Sequence, residues 1–256
     1  MVYDLTTWLA FAEKLPPIGC VVASHKEIPG YPQGAPDPTA LIIALLARSI
    51  SNLKGVIVLA RAGFVVEART CVRCLFENLF IAGGLVTRGS DFVQEMFQDE
   101  LNSRKLRGSI VLQWPVSDKE FEERLRAHIE QMKRAYPKTR FLAPKRASDS
   151  SPLAANYLFY SQLSSDSAHP SFSALSRYFR FTENGEELRG IDISPKIKND
   201  ELADTVNLAC HAFIGVLVAV NQILGDPCNE RINPLVAEYR SLAGIAGGTA
   251  AVRETN

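Results

Sequence analysis

Two stretches of this chain concentrate side chains able to do chemistry. In the first, Arg69, Arg73 and Glu77 stand four residues apart, and their neighbours include Val65, Val66, Val72, Leu75, Phe76 and Phe80. Four-residue spacing puts them on one face of a helix, where they can pair along it. Ionised groups among so many apolar residues are costly unless paired or hydrogen-bonded. The pattern predicts either a structural ion-pair network or a polar cleft facing a ligand. The second stretch runs from Tyr160 through Ser164 and Asp166 to His169, Pro170 and Ser171. Tyr160 and Ser164 share a helix face, and His169 stands at the break beyond it. An imidazole there can cap, pair with a carboxylate, or act as a general base. In a hydrolase or nuclease, Arg69 or Arg73 would then stabilise developing negative charge.

His211, on an apolar helix, reads as a core histidine. With His169 and Glu77 it would supply a metal set only if the three meet, and no metal site is expected. Cys71 and Cys74 form a C-x-x-C pair with no second pair, and read as small core thiols. The sequence has no G-x-S-x-G elbow, Walker A loop, G-x-G-x-x-G or H-E-x-x-H. Acyl transfer, P-loop hydrolysis, dinucleotide binding and zincin chemistry lack support, and no cofactor is expected.

These segments resemble a bacterial all-helical family of undefined function. That family carries an Arg-x3-Glu pair on an apolar helix and a later Tyr-x2-Leu-Ser-x4-His-Pro-Ser segment. Here they read Arg73 to Glu77 and Tyr160 to Ser171, and the resemblance spans roughly residues 40 to 225. It implies an all-helical fold with Arg73, Glu77, Tyr160, Ser164 and His169 gathered at one place. A more distant resemblance is to HEPN-type helical bundles, ribonucleases of toxin and phage-defence systems. Their Arg and His have four to six residues between them, and this chain departs from that: Arg124 precedes His128 with only three residues between.

The elements that must position these residues read as an all-α, multi-helix bundle with a small appended β-hairpin. A short helix from Leu5 to Lys14 is stopped by Pro16 and Pro17, and a proline-rich irregular arm follows to Pro38. Residues 1–37 are therefore an N-terminal helix and arm, 38–245 the bundle, and 246–256 a flexible tail. Asp37 and Pro38 open a helix to Ala62, and Gly63 breaks it. A second apolar helix runs from Phe64 to Val86. Ser90 and Asp91 cap a third, to Arg107. Ser117 and Glu120 form a capping box for a fourth, whose buried stripe is Phe121, Leu125, Ile129 and Met132. Residues 137–150 read as a polar loop. Ser151 and Pro152 start the helix through Tyr160. Tyr178 to Ile193 forms a hairpin around Asn184 and Gly185. A long apolar helix covers Asp200 to Leu224, and Asn233 and Pro234 open a last one.

With 256 residues, the chain can bury a core without staples. Lys+Arg and Asp+Glu are both 28. Zero net charge gives no bulk pull on phosphate backbones or anionic lipid, which disfavours nucleic acid as a partner. Five widely spaced cysteines fit a reducing cytoplasm better than a disulfide framework. The N-terminus has no signal-peptide pattern, and the apolar run from Leu208 to Val220 reads as too short to span a bilayer. The function expected is a binding or regulatory module for a small polar or anionic ligand, held by Arg69, Arg73, Glu77, Tyr160 and Ser164. The alternatives are a hydrolase or HEPN-like ribonuclease using His169, and a structural protein that homo-oligomerises.

Overall fold

A computed structural model describes residues 4–25, 37–115, 118–149 and 151–245. The elements in chain order are α1 (Leu5–Ala23), α2 (Pro38–Arg61), α3 (Val65–Arg88), α4 (Ser90–Val111), α5 (Lys119–Ala135) and α6 (Pro144–Asp149). A 3₁₀ turn (Ala154–Asn156), α7 (Tyr157–Leu163), a π-helical turn (Ser164–Ala168) and α8 (Phe172–Ser176) follow. The chain then forms β1 (Phe179–Phe181), β2 (Leu188–Ile191), α9 (Asn199–Ile223) and α10 (Asn229–Leu242). The fold is an all-α bundle with a two-stranded antiparallel hairpin, as the periodicity implies. The hairpin pairs Arg180 with Gly190, and Gly185 supplies the positive φ of its turn.

The core is the mutual packing of α2, α3 and α9, with α1 laid across α2 and α9. Leu46, Leu53, Phe76, Phe80, Phe213 and Leu217 are fully buried there. All three central helices are apolar on most faces because each is surrounded by the others. Close approach between α3 and α4 depends on Gly84. A Cβ at that position would stand 2.4 Å from the Phe92 ring. By length and composition alone, α2, α3 and α9 could each cross a membrane. The run around His211, read from the sequence as too short to span a bilayer, thus lies in a helix of 25 residues that is long and apolar enough to do so. Between 44% and 61% of their most apolar windows is buried inside the protein.

The boundaries differ from expectation at several points, each for a local reason. α1 does not stop at Pro16 and Pro17 but continues to Ala23. Two missing N–H donors weaken the helix, yet Pro16 and Val22 are buried, and Gly19 sits against Ile50 and Phe213. Packing of that last turn outweighs the lost hydrogen bonds. The rest of the expected arm, residues 26–36, lies outside the described residues, as does the tail from 246. Ser90 and Asp91 do not cap α4, because Gly89 at φ 50° passes the chain from α3 into α4 with no side-chain cap. Asp118 caps α5 by accepting from the Phe121 N–H at 3.0 Å, while Ser117 lies outside the described residues.

In α5, Ile129 alone of the expected stripe is buried, and Phe121 is 43% exposed. The helix packs mainly on α4, so only one narrow seam is covered. Residues 144–149, expected as loop, form α6, with Ala147 and Ser148 buried and Lys145 paired to Asp149 one turn on. Ser151 and Pro152 lead into turn and 3₁₀ structure, so α7 begins only at Tyr157. α10 begins at Asn229 and contains Pro234 rather than opening on it. The Asn221 side chain accepts from the Cys228 N–H at 2.9 Å and donates to Asn229 Oδ1 at 2.7 Å. That anchor sets the start of α10 before the proline is reached.

Candidate functional site

α3 carries Arg73 and Glu77 on one face, and α7 brings Tyr160 onto them. Arg73 Nη1 donates to Glu77 Oε1 at 2.9 Å and to the Tyr160 hydroxyl at 3.1 Å. The Tyr160 hydroxyl in turn donates to Glu77 Oε1 at 3.2 Å. The guanidinium carbon lies 5.6 Å from the Tyr160 ring centroid, within cation–π range. Burial, reinforced by the Glu77 carboxylate, pushes the Tyr160 phenol up, so it stays a neutral donor. Arg73 Nε is buried and has no hydrogen-bond partner among the described residues. The three groups form a closed triangle that fixes the Glu77 carboxylate.

That carboxylate lines a cavity of about 430 Å³. Leu45 and Arg48 of α2, Phe80 and Ile81 of α3, Met96 and Asp99 of α4, and the 141–147 segment form its walls. Asn78 stands beside Glu77, where its amide donates to Ser49 Oγ at 3.0 Å and Asn52 Oδ1 at 3.2 Å. Asp99 Oδ1 accepts from the Leu142 N–H at 2.9 Å, which ties the 141–147 wall to α4. The cavity is mostly apolar with a few polar groups, the usual make-up of a small-ligand site.

Arg69 belongs to a different cluster. It pairs with Asp166, lies 2.9 Å from Glu201 Oε1, and donates from Nε to Thr205 Oγ1 at 3.2 Å. Arg177 meets the same two carboxylates, at 3.0 Å from Asp166 Oδ1 and 3.2 Å from Glu201 Oε1. Two cations and two anions thus join α3, the π-helical turn, the segment after α8, and α9. Against the push of burial, Arg69 and Arg177 hold the Asp166 carboxyl below the usual carboxylate range. Arg69 and Asp166 also line a smaller cavity of about 160 Å³ with Phe159, Gln162, Leu163 and Leu208.

The structure therefore divides the residues that the sequence grouped. Arg73, Glu77 and Tyr160 meet. Arg69 faces the neighbouring cluster. Ser164 is half-buried in the π-helical turn, and His169 is exposed just after it. Among the described residues, neither side chain hydrogen-bonds to the triangle or to Arg69. His211 is far more enclosed: its Nε2 lies 2.7 Å from Asn156 Oδ1, and the rings of Phe76, Phe159 and Tyr239 surround it. Burial pulls its pKa down. Among the described residues, Glu77, His169 and His211 form no metal-ligating group. Cys71 and Cys74 are half-buried free thiols, and burial pushes the Cys71 thiol up.

Sequence reasoning passed over Arg48, Asp99, Asn78, Arg177, Glu201 and Thr205. The Arg69 partners Asp166 and Thr205 are 97 and 136 residues away, so no local spacing signals them. Asn78, beside Glu77 on a buried apolar face, was the one legible clue.

A family model described as "Family of unknown function (DUF5677)" matches residues 39–187, more than half of the chain. The match spans α2 through the hairpin turn and stops short of α9, which the expected resemblance had included. Neither a curated protein nor a solved structure matches the chain.

Proposed function

The chain belongs to this family of unknown function, and from that premise we propose that it is a small-molecule binding module. Its site would be the cavity walled by α2, α3, α4 and the 141–147 segment. The observation that carries the reading is the Arg73–Tyr160–Glu77 triangle, which holds a carboxylate at an apolar cavity wall with one oxygen, Oε2, left without a hydrogen bond among the described residues. That oxygen is open to a ligand donor, and a hydrogen bond to an ionised carboxylate is stronger than one between neutral groups. In this reading Arg73 and Tyr160 hold the carboxylate, and Glu77 faces the ligand. Binding would be coupled to α4, because Met96 and Asp99 share the wall, and through α4 to α5. That arrangement suits a regulatory role. An aqueous, reducing compartment fits the five free cysteines and the burial of α2, α3 and α9 against one another.

The test is a fragment screen read by NMR on the full chain. Ligands should shift resonances of Leu45, Ile81 and Met96, and Ile81→Trp, which fills the cavity, should abolish those shifts while the helical circular dichroism persists. A screen in which no fragment perturbs these residues removes the proposal.

A further inference from the structure

The cavity wall carries charges of both signs, and although Glu77 is held by Arg73 from behind, the charges that line the cavity form no ion pair with one another. Arg48 is exposed at the edge contributed by α2 and makes no ion pair or hydrogen bond among the described residues. Glu77 and Asp99 line the same cavity, and neither pairs with Arg48 within 4.0 Å. The oxygens Glu77 Oε1 and Asp99 Oδ1 are engaged with Arg73, Tyr160 and the Leu142 N–H. Glu77 Oε2 and Asp99 Oδ2 accept no hydrogen bond among the described residues. Between these poles the wall is Leu45, Phe80, Ile81, Met96, Phe141 and Leu142. A simple anion would meet two carboxylates here as well as Arg48, and a simple cation would meet Arg48 as well as the two carboxylates.

We infer that the cavity takes a small zwitterion with an apolar body, of the chemical class of an apolar α-amino acid. Its ammonium would sit between Glu77 and Asp99, its carboxylate would meet Arg48, and its side chain would lie along the apolar wall. A volume of about 430 Å³ accommodates a molecule of that size with its apolar group laid along the wall. Each charged pole is worth a charge-assisted hydrogen bond, stronger than a neutral one. This inference rests on the binding reading above, and adds the ligand's charge pattern.

The experiment compares three probes that share a phenylethyl body: L-phenylalanine, phenethylamine, which lacks the carboxylate, and 3-phenylpropanoate, which lacks the ammonium. Each is titrated into the full chain by calorimetry, with NMR shifts to locate it. Phenylalanine should bind about ten-fold or more tightly than either single-charge analogue, the equivalent of roughly 1.4 kcal/mol. Arg48→Gln should reduce phenylalanine to the level of the amine and leave the amine unchanged. Asp99→Asn, which keeps an acceptor for the Leu142 N–H, should weaken phenylalanine and the amine and spare 3-phenylpropanoate. If either analogue matches phenylalanine at these residues, the zwitterion inference is overturned while the cavity remains a binding site. If all three fail, it is also overturned, and the fragment screen then decides whether the binding reading falls with it.

Discussion

Tyr160 is the residue through which the two chemistry-bearing stretches touch. Its hydroxyl is shared between a guanidinium and a carboxylate at 3.1 and 3.2 Å, and the residue is 8% exposed. Removing that hydroxyl leaves the Arg73–Glu77 pair one helical turn apart on α3 but withdraws a half-buried hydrogen bond from each partner. Tyr160→Phe should therefore cost about 1–2 kcal/mol, read as a lower denaturant midpoint with an unchanged slope. The value is modest because the ring stays packed against Phe80 and Tyr157. A midpoint equal to wild type would show that the triangle contributes no stability. His169 behaves oppositely: exposed and outside the triangle, its replacement by Ala should leave stability within about 0.5 kcal/mol.

At the scale of elements, Asp166 holds the irregular segment after α7 against α3 and α9. Its folded-state pKa lies below the ordinary value, because Arg69 and Arg177 favour the charged form over the opposing effect of burial. The folded state thus binds its proton less readily than the unfolded chain. The associated stability is fully present above the ordinary carboxylate pKa, near 3.9, and is lost as pH falls through the lower folded value. His211 acts in the same direction at a higher pH. Burial lowers its pKa, so its contribution is present above about 6.5 and declines as pH falls towards the folded value. Unfolding midpoints measured between pH 8 and 3 should fall in two stages. His211→Gln should flatten the first and Asp166→Asn the second. Wild-type and variant profiles of identical shape would contradict this assignment.

For the whole molecule, burial is concentrated in α1, α2, α3 and α9, while α5 buries Ile129 alone. Cooperative opening follows buried contact. Amide hydrogen exchange should be slowest along α2, α3 and α9, at rates set by global unfolding, and fast along α5. A ligand in the cavity should slow exchange in α4 and α6 more than in α9, since the first two share its wall. Uniform exchange across α5 and α9 would show that the α4–α5 pair is integrated into the core more closely than its burial indicates.

The sequence by itself determined the helical class, the hairpin around Gly185, and the axial neighbours Arg73 and Glu77, because each is a local consequence of periodicity, turn chemistry or four-residue spacing. Asn184 and Gly185 could be read as a turn without knowing anything beyond the adjacent strands. Only the tertiary structure decided that Pro16 and Pro17 lie inside a helix, that Tyr160 closes on Arg73, that Arg69 turns to Asp166, and that Arg48 and Asp99 border one cavity. Those outcomes depend on packing between segments tens of residues apart. There, the free energy of burying a surface or pairing a charge exceeds the local preference, and the chain's own spacing carries no record of which partner will arrive.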